Sequence, residues 1–148
     1  MYKKLDEQEK TVGISHIIPR SFCLSKQDAK PHGIVLIPKE KDCRIDFHTM
    51  ESDPNENILA KFAESLKDEP ACIMHGKFDE QRKKDLYSVR AKYEIGEREY
   101  LEIHFGPHKD FNKRIGLLIT THKPRADINE IIKRKDIRRF IDSFEIID

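Results

Sequence analysis

The chain has 148 residues, 37% of them hydrophobic and 37% charged, with 28 Lys+Arg against 27 Asp+Glu and a formal net charge of +1. That length holds one domain with a real core. Near-neutral charge argues against a whole-surface nucleic-acid binder, and no apolar run approaches the roughly 18 residues of a membrane-spanning helix. Cys23, Cys43 and Cys72 are an odd set without a CxxC, which argues against a disulfide framework or a zinc knuckle.

The first ten residues are charged and lack the apolar stretch of a signal peptide, so the cytoplasm is the expected compartment. Residues 1–11 read as a flexible N-terminus and 12–148 as a single domain. Val12 to Ile18 reads as a short strand stopped by Pro19. Pro31-His32-Gly33 signals a turn, and residues 33–37 form an apolar run stopped by Pro38. Cys43, Ile45, Phe47 and Thr49 then alternate with Arg44, Asp46 and His48, as expected of a strand with one buried face. These two runs suit a hairpin. A helix follows, with Asp53 as cap, Pro54 at its first position, and Ile58, Leu59, Phe62, Ala63 and Leu66 as its apolar stripe.

Cys72 to Phe78 is a further strand candidate, and residues 79–84 a polar loop. Tyr87, Val89, Ala91, Tyr93 and Ile95 alternate strictly with polar neighbours. After the turn Gly96-Glu97, Leu101, Ile103 and Phe105 do the same, and Ile115, Leu117, Ile119 and Thr121 mark a third strand. Three such strands in sequence predict an antiparallel meander. The chain closes on a helical region carrying Ile128, Ile131, Ile132, Ile137, Phe140, Ile141 and Phe144, kinked near Lys135 and capped at Asp127 or Asp136. The expected fold is α+β, an antiparallel sheet packed with helices.

The opening Ile17-Ile18-Pro19-Arg20-Ser21-Phe22, a helix of the type Ile58 to Leu66 after an early hairpin, the strand Gly116-Leu117-Leu118-Ile119-Thr120-Thr121 and the ending Phe140-Ile141-Asp142-Ser143-Phe144 follow one layout. On these residues the chain resembles the PsbP-like family, in its small bacterial form related to DcrB and to the Eag chaperones of type VI secretion. The resemblance covers roughly residues 12–146. It implies an α/β/α sandwich and non-enzymatic work in binding, chaperoning or assembly. It brings no catalytic motif, so no functional residue is carried over. Eag chaperones cradle apolar helices, whereas Arg44, Asp46, His48, Arg90, Lys92, Glu94, Glu102 and His104 read here as one outward, charged face. That face suits a polar partner.

Several residues invite chemistry. His48, His104 and His122, with Asp46 and Glu102, would form a metal-binding set for a hydrolase or nuclease if they shared a sheet face; the competing reading is a solvated face of cross-strand charge pairs. Cys43 falls in the apolar register and reads as structural. There is no G-x-S-x-G, P-loop or G-x-G-x-x-G. Lys123, Arg125, Lys133, Arg134, Lys135, Arg138 and Arg139 make the final helix region basic, which allows an RNA-binding alternative, although no aromatic residues interleave to stack bases. The leading expectation is a non-enzymatic, cytoplasmic protein-binding module of the adaptor, secretion-chaperone or toxin-immunity kind, with no cofactor and no metal. Its partner would be another protein, such as a secreted effector or toxin, with a homodimer as an alternative. Nucleic acid is disfavoured, and membrane insertion is not expected. The expected partner-binding face carries Arg90, Lys92, Glu94, Tyr100, Glu102 and His104, with Tyr100 as its anchor.

Overall fold

A computed structural model describes residues 7–25, 33–122 and 126–147. In chain order it forms α1 (Glu7–Val12), β1 (Ile14–Ser15), β2 (Phe22–Leu24), β3 (Gly33–Pro38), β4 (Cys43–Glu51), α2 (Ile58–Lys67), β5 (Cys72–Met74), β6 (Asp79–Lys83), β7 (Leu86–Ile95), β8 (Arg98–Phe105), β9 (Lys113–Thr121), α3 (Ile128–Lys133), α4 (Lys135–Asp142) and β10 (Glu145–Ile146). The main sheet is ordered β2-β3-β4-β9-β8-β7-β5, with β6 pairing the same strand β7; β1 and β10 make a separate ribbon. All these pairings are antiparallel. The expected hairpin β3–β4 and meander β7–β8–β9 are both present.

Helices pack on both faces of this sheet. On one face Leu36, Cys43, Ile45, Phe47, Leu101, Ile103, Phe105, Ile115, Leu117 and Ile119 meet Ile128 and Ile131 of α3, Ile137, Phe140 and Ile141 of α4, Phe144, and Val12 at the end of α1. On the other, Ile58 and Phe62 of α2 cover Val89, Ala91 and Tyr93 of β7. The sheet is therefore buried on two sides near β7 and β8, which explains why β7 carries apolar residues facing α2 while its neighbour β8 carries them facing α3 and α4.

The N-terminus differs from the expected flexible segment. Residues 7–11 make most of α1, and Glu9 is buried: its carboxylate accepts the His16 backbone N–H at 3.2 Å and faces His16 Nδ1 at 3.1 Å. The strand expected over 12–18 shrinks to Ile14–Ser15 because Val12 ends the helix and Gly13 turns the chain at φ +71°, where a Cβ would stand 2.6 Å from the Phe111 ring. The loop expected over 79–84 is largely β6, a wholly polar strand on the sheet's margin. Its charges leave no apolar alternation to read, and they discourage edge-to-edge pairing.

Asn57, not Asp53, caps α2; Asn57 Oδ1 accepts the Ala60 N–H at 3.0 Å, while Asp53 closes a turn onto the Asn55 N–H at 2.8 Å. The closing helical region breaks at Arg134, whose extended backbone (ψ 140°) separates α3 from α4, one residue from the expected kink. Asp127 caps α3 by accepting the Asn129 N–H. The turn expected at Pro31-His32 lies outside the described residues.

Candidate functional site

Register decides which of the expected binding residues meet. β7 and β8 are joined by the two residues Gly96 and Glu97, and the ladder pairs Ala91 with Glu102, Val89 with His104 and Tyr93 with Tyr100. Side chains opposite each other share a face. Tyr100, Glu102 and His104 therefore lie on the α2 side, together with Val89, Ala91 and Tyr93. Arg90 and Lys92 pair with Ile103 and Leu101, and Glu94 with Glu99, which places all three on the opposite face. The six residues do not form one surface.

They are also engaged within the molecule. Lys92 Nζ donates to Asn129 Oδ1 of α3 at 2.7 Å. Glu94 meets His75 Nε2 at 3.0 Å, and Tyr100 stacks on Tyr93 with centroids 5.1 Å apart. Burial pulls the Arg90 guanidinium below its ordinary value, against the nearby carboxylates of Asp79 and Asp142.

Beneath α2 the polar residues form one continuous network. Arg114 Nε donates to His104 Nδ1 at 3.2 Å; because arginine only donates, Nδ1 accepts and Nε2 carries the proton given to Glu102 Oε2 at 2.7 Å. Tyr93 Oη donates to the other Glu102 oxygen at 2.7 Å. Burial works against the Glu102 charge, but the bonds from His104 and Tyr93 prevail and hold its carboxyl below the ordinary value. Burial, reinforced by Glu102, pushes the Tyr93 phenol up.

From Arg114 the network runs to Glu56, whose Oε2 accepts Arg114 Nη1 at 3.0 Å and Ser52 Oγ at 2.9 Å, and which pairs with Lys61 of α2 through Oε1. Lys61 and then Ser52 lower the Glu56 carboxyl. The His104 ring packs on Phe62 of α2, with centroids 4.5 Å apart. Besides its apolar contacts with β7, α2 is thus tied to the sheet by one aromatic contact and one chain of hydrogen bonds.

Glu56 also lines a surface concavity. This cleft, of about 1160 Å³, lies at one end of the sheet. Its walls are the 54–58 segment leading into α2, the β6–β7 turn with Arg82, Asp85 and Tyr87, and the β8–β9 loop from Gly106 to Phe111. The loop is fixed from within: His108 is buried, its Nδ1 accepts the Asp110 N–H at 3.0 Å, and its ring packs edge-on against Phe111. Lys109 and Asp110 project from this support and are exposed.

The alternative metal set is only partly assembled. His48 and His104 both lie opposite Gly116, and Asp46 and Glu102 both lie opposite Leu118, so these four share the α2-side face. Gly116 leaves room for the His48 ring: a Cβ there would come within 3.0 Å of His48 Nε2 and 2.7 Å of Met50 Cε. His122 does not join them. It follows the end of β9, and its Nδ1 lies 2.9 Å from the Lys41 carbonyl oxygen. Asp46 is held by Arg44 at 3.0 Å. Among the described residues, no group of three or more His, Cys, Asp or Glu side chains could hold a metal ion.

The basic cluster is reduced in the same way. Arg134 binds Asp42, Asp136 at 2.7 Å and Glu40 at 3.4 Å, and so belongs to the junction of α3 and α4 with the β3–β4 turn. Lys133, Lys135, Arg138 and Arg139 stay exposed, while Lys123 and Arg125 lie outside the described residues. Burial, then the charge of Asp42, pushes the Cys43 thiol up to about 12, which suits inert packing.

Tyr93, Arg114 and Glu56 carry the network and had not been singled out in the sequence. Tyr93 sat in the apolar register, and the hydroxyl at its tip was the one available signal that a polar partner lay under α2. Arg114 and Glu56 are 58 positions apart, so no local pattern joins them.

No protein-family model matches the chain, and no curated protein sequence matches it. Solved structures do share its fold. The Ran-binding protein Mog1p of Saccharomyces cerevisiae superposes with a TM-score of 0.58 at 8% identity, over 92% of this chain and 91% of that one. A point mutant of the protein Mog1 superposes with a TM-score of 0.53 at 9% identity, over 92% of each chain. At such identities the likeness is one of fold alone.

Proposed function

We propose that this chain is a non-enzymatic protein-binding module that docks its partner at the cleft between the 54–58 segment, the β6–β7 turn and the β8–β9 loop. The cleft carries the reading. Small-molecule pockets measure roughly 300–1,000 Å³ and are mostly apolar. This one is about 1160 Å³ and presents Glu56, Asp85 and Asp110 beside Arg82 and Lys109. A wide cleft with both signs of charge suits a polypeptide surface, where such charges set orientation and association rate while a few desolvated groups hold the complex. Tyr87 and Phe111 are the ring-bearing anchors in its wall.

Mog1p is described as a Ran-binding protein. A chain of this fold thus serves a protein ligand in that case, which supports the class of partner. The resemblance of the sequence to the PsbP-like family points to the same class of partner, and we extend the proposal to a module of the adaptor, secretion-chaperone or toxin-immunity kind working in the cytoplasm. Among the described residues, no helix is long and apolar enough to cross a membrane. Docking moves away from the six sheet residues of the initial expectation because most of them already bind or stack within the chain.

The test uses the full-length chain as bait in its native cells, followed by calorimetry with whichever stoichiometric protein is recovered. Exchanging the cleft charges, Lys109→Asp with Asp110→Lys, should weaken binding by about tenfold or more. Arg138→Glu with Arg139→Glu on α4 should leave it unchanged. Equal affinity for the cleft variant, with the fold confirmed by circular dichroism, would refute the site. Recovery of nucleic acid in place of a protein would refute the class.

A further inference from the structure

We infer that His104 is a proton-sensitive latch for the wall of the cleft. The inference concerns the cleft's conformation and does not rest on what occupies it. The 52–57 segment enters α2 and is held to the sheet through Ser52 and Glu56: Glu56 Oε2 takes the Ser52 hydroxyl at 2.9 Å and Arg114 Nη1 at 3.0 Å, while Lys61 pairs with Oε1. Arg114 is in turn oriented by His104, whose Nδ1 accepts its Nε–H at 3.2 Å. Both side chains are nearly closed off from water, with relative exposures of 8% for His104 and 11% for Arg114.

This arrangement works for only one protonation state of the ring. Nε2–H is committed to Glu102, so the second proton can enter only at Nδ1, where the Arg114 N–H already points. Two donors would then face each other, and two positive charges would stand side by side where little water screens them. Arg114 cannot shed a proton to relieve the conflict.

The charged groups around His104 act in stated directions. Glu102 on β8, held charged by the Tyr93 hydroxyl from β7, favours proton uptake by the ring. Arg114 on β9 opposes it. His48 on β4 faces Glu102 and competes for the same carboxylate. Glu56 and Lys61, from the α2 side, act through Arg114. Phe62 bounds the ring from α2 without charge.

Histidine changes charge between pH 5 and 8. When the ring takes up that second proton, moving Arg114 off His104 relieves the conflict, which loosens its hold on Glu56 and frees the 52–57 wall. Below the transition the cleft opens at its α2 side, and above it the wall is closed.

The experiment is a pair of measurements on the intact chain. Hydrogen exchange of the amides in 53–61, corrected for the intrinsic effect of pH, should rise by about tenfold between pH 7.5 and pH 5.5. Amides of the β4–β9 ladder should not change. His104→Gln can accept from Arg114 and donate to Glu102 but cannot charge, so its exchange should be flat across the same range. A flat wild-type profile, or a rise that survives in His104→Gln, would overturn the inference.

The second measurement needs no variant. In ¹⁵N and ¹³C NMR titrations, the Arg114 Nε–H resonance should move with the same midpoint as the His104 ring. Two separate midpoints, or an Arg114 signal that does not respond, would also overturn it.

Discussion

Removing the Phe140 ring tests whether α4 belongs to the core or merely rests on it. α4 has eight residues, too few to be stable alone. It is retained by Ile137, Phe140 and Ile141, all buried. The Phe140 ring meets Phe22 of β2 edge-on at 5.6 Å, Phe144 at 5.3 Å and His16 at 6.4 Å. Phe144 extends this contact to Phe105 at 4.3 Å and Phe47 at 5.8 Å. Phe140→Ala would thus empty a site enclosed by β2, the segment after β1 and the α4 terminus, none of which can collapse inward without breaking its own packing. Truncations of this kind cost about 3–5 kcal/mol. With an unfolding entropy of about 2.1 cal/mol/K per residue, a 148-residue chain should lose roughly 10–16 °C in Tm. Differential scanning calorimetry reads the shift directly, and urea melts at constant m-value read the free energy. A loss below about 0.5 kcal/mol would show that the closing helix does not share the main core.

Tyr93→Phe removes the hydroxyl bonded to Glu102 and should cost about 1.5–3 kcal/mol in urea unfolding, the range for a hydrogen bond to a charged group. Glu102 stays charged to lower pH in the folded chain than in the unfolded one. Its contribution is complete above the ordinary carboxylate value and is lost as pH falls through the lowered one, so wild-type stability should drop as pH falls below about 4.5. The drop should be shallower in Tyr93→Phe, and parallel profiles would refute the assignment. Gly13→Ala would set a Cβ at φ +71°, 2.6 Å from Phe111, and should destabilise by about 1–3 kcal/mol in thermal melts. An unchanged Tm would show that α1 and the β8–β9 loop part readily.

The meander was legible because strict alternation over Tyr87–Ile95 and Leu101–Phe105 has one good reading, that of strands. The assignment of faces was not drawn from that alternation, yet the information was present. A two-residue hairpin loop pairs the residues on either side of it, here Ile95 with Arg98, and these differ in parity. Odd positions on β7 therefore share a face with even positions on β8. Taking the apolar odd residues of both strands as one core face placed Arg90 and Lys92 beside Glu102, when the ladder sets them on opposite sides. The β8–β9 pairing, Tyr100 with Thr120, keeps parity equal, so apolar character passes from β8 to β9 on the same face without a switch. At the two-residue loop the sheet changes which alternate set is buried under which helix, as it does between β3 and β4, where Leu36 pairs with Ile45.

That switch explains why Glu102 and His104 are polar at positions α2 covers. α2 has ten residues, and only Ile58 and Phe62 are fully buried. Its apolar footprint covers β7, the His104 ring and Tyr100 on β8, and Leu118 on β9, and the polar Glu102 and Arg114 lie among them. Buried polar groups are tolerated where each finds a partner, and a network with every member satisfied fixes one arrangement more sharply than apolar contact does. Here each partner comes from a different element: Tyr93 from β7, Arg114 from β9, Glu56 from the segment entering α2. A helix seated by apolar contact alone could slide along β7, but one also held through Phe62 on His104 and Glu56 on Arg114 cannot slide without breaking both. The same contacts set the height of the cleft wall, because Glu56 stands in that wall. Glu56 is therefore the link between the contacts that register the helix and the wall of the candidate binding site, and a change that loosens α2 through Glu56 also alters the cleft.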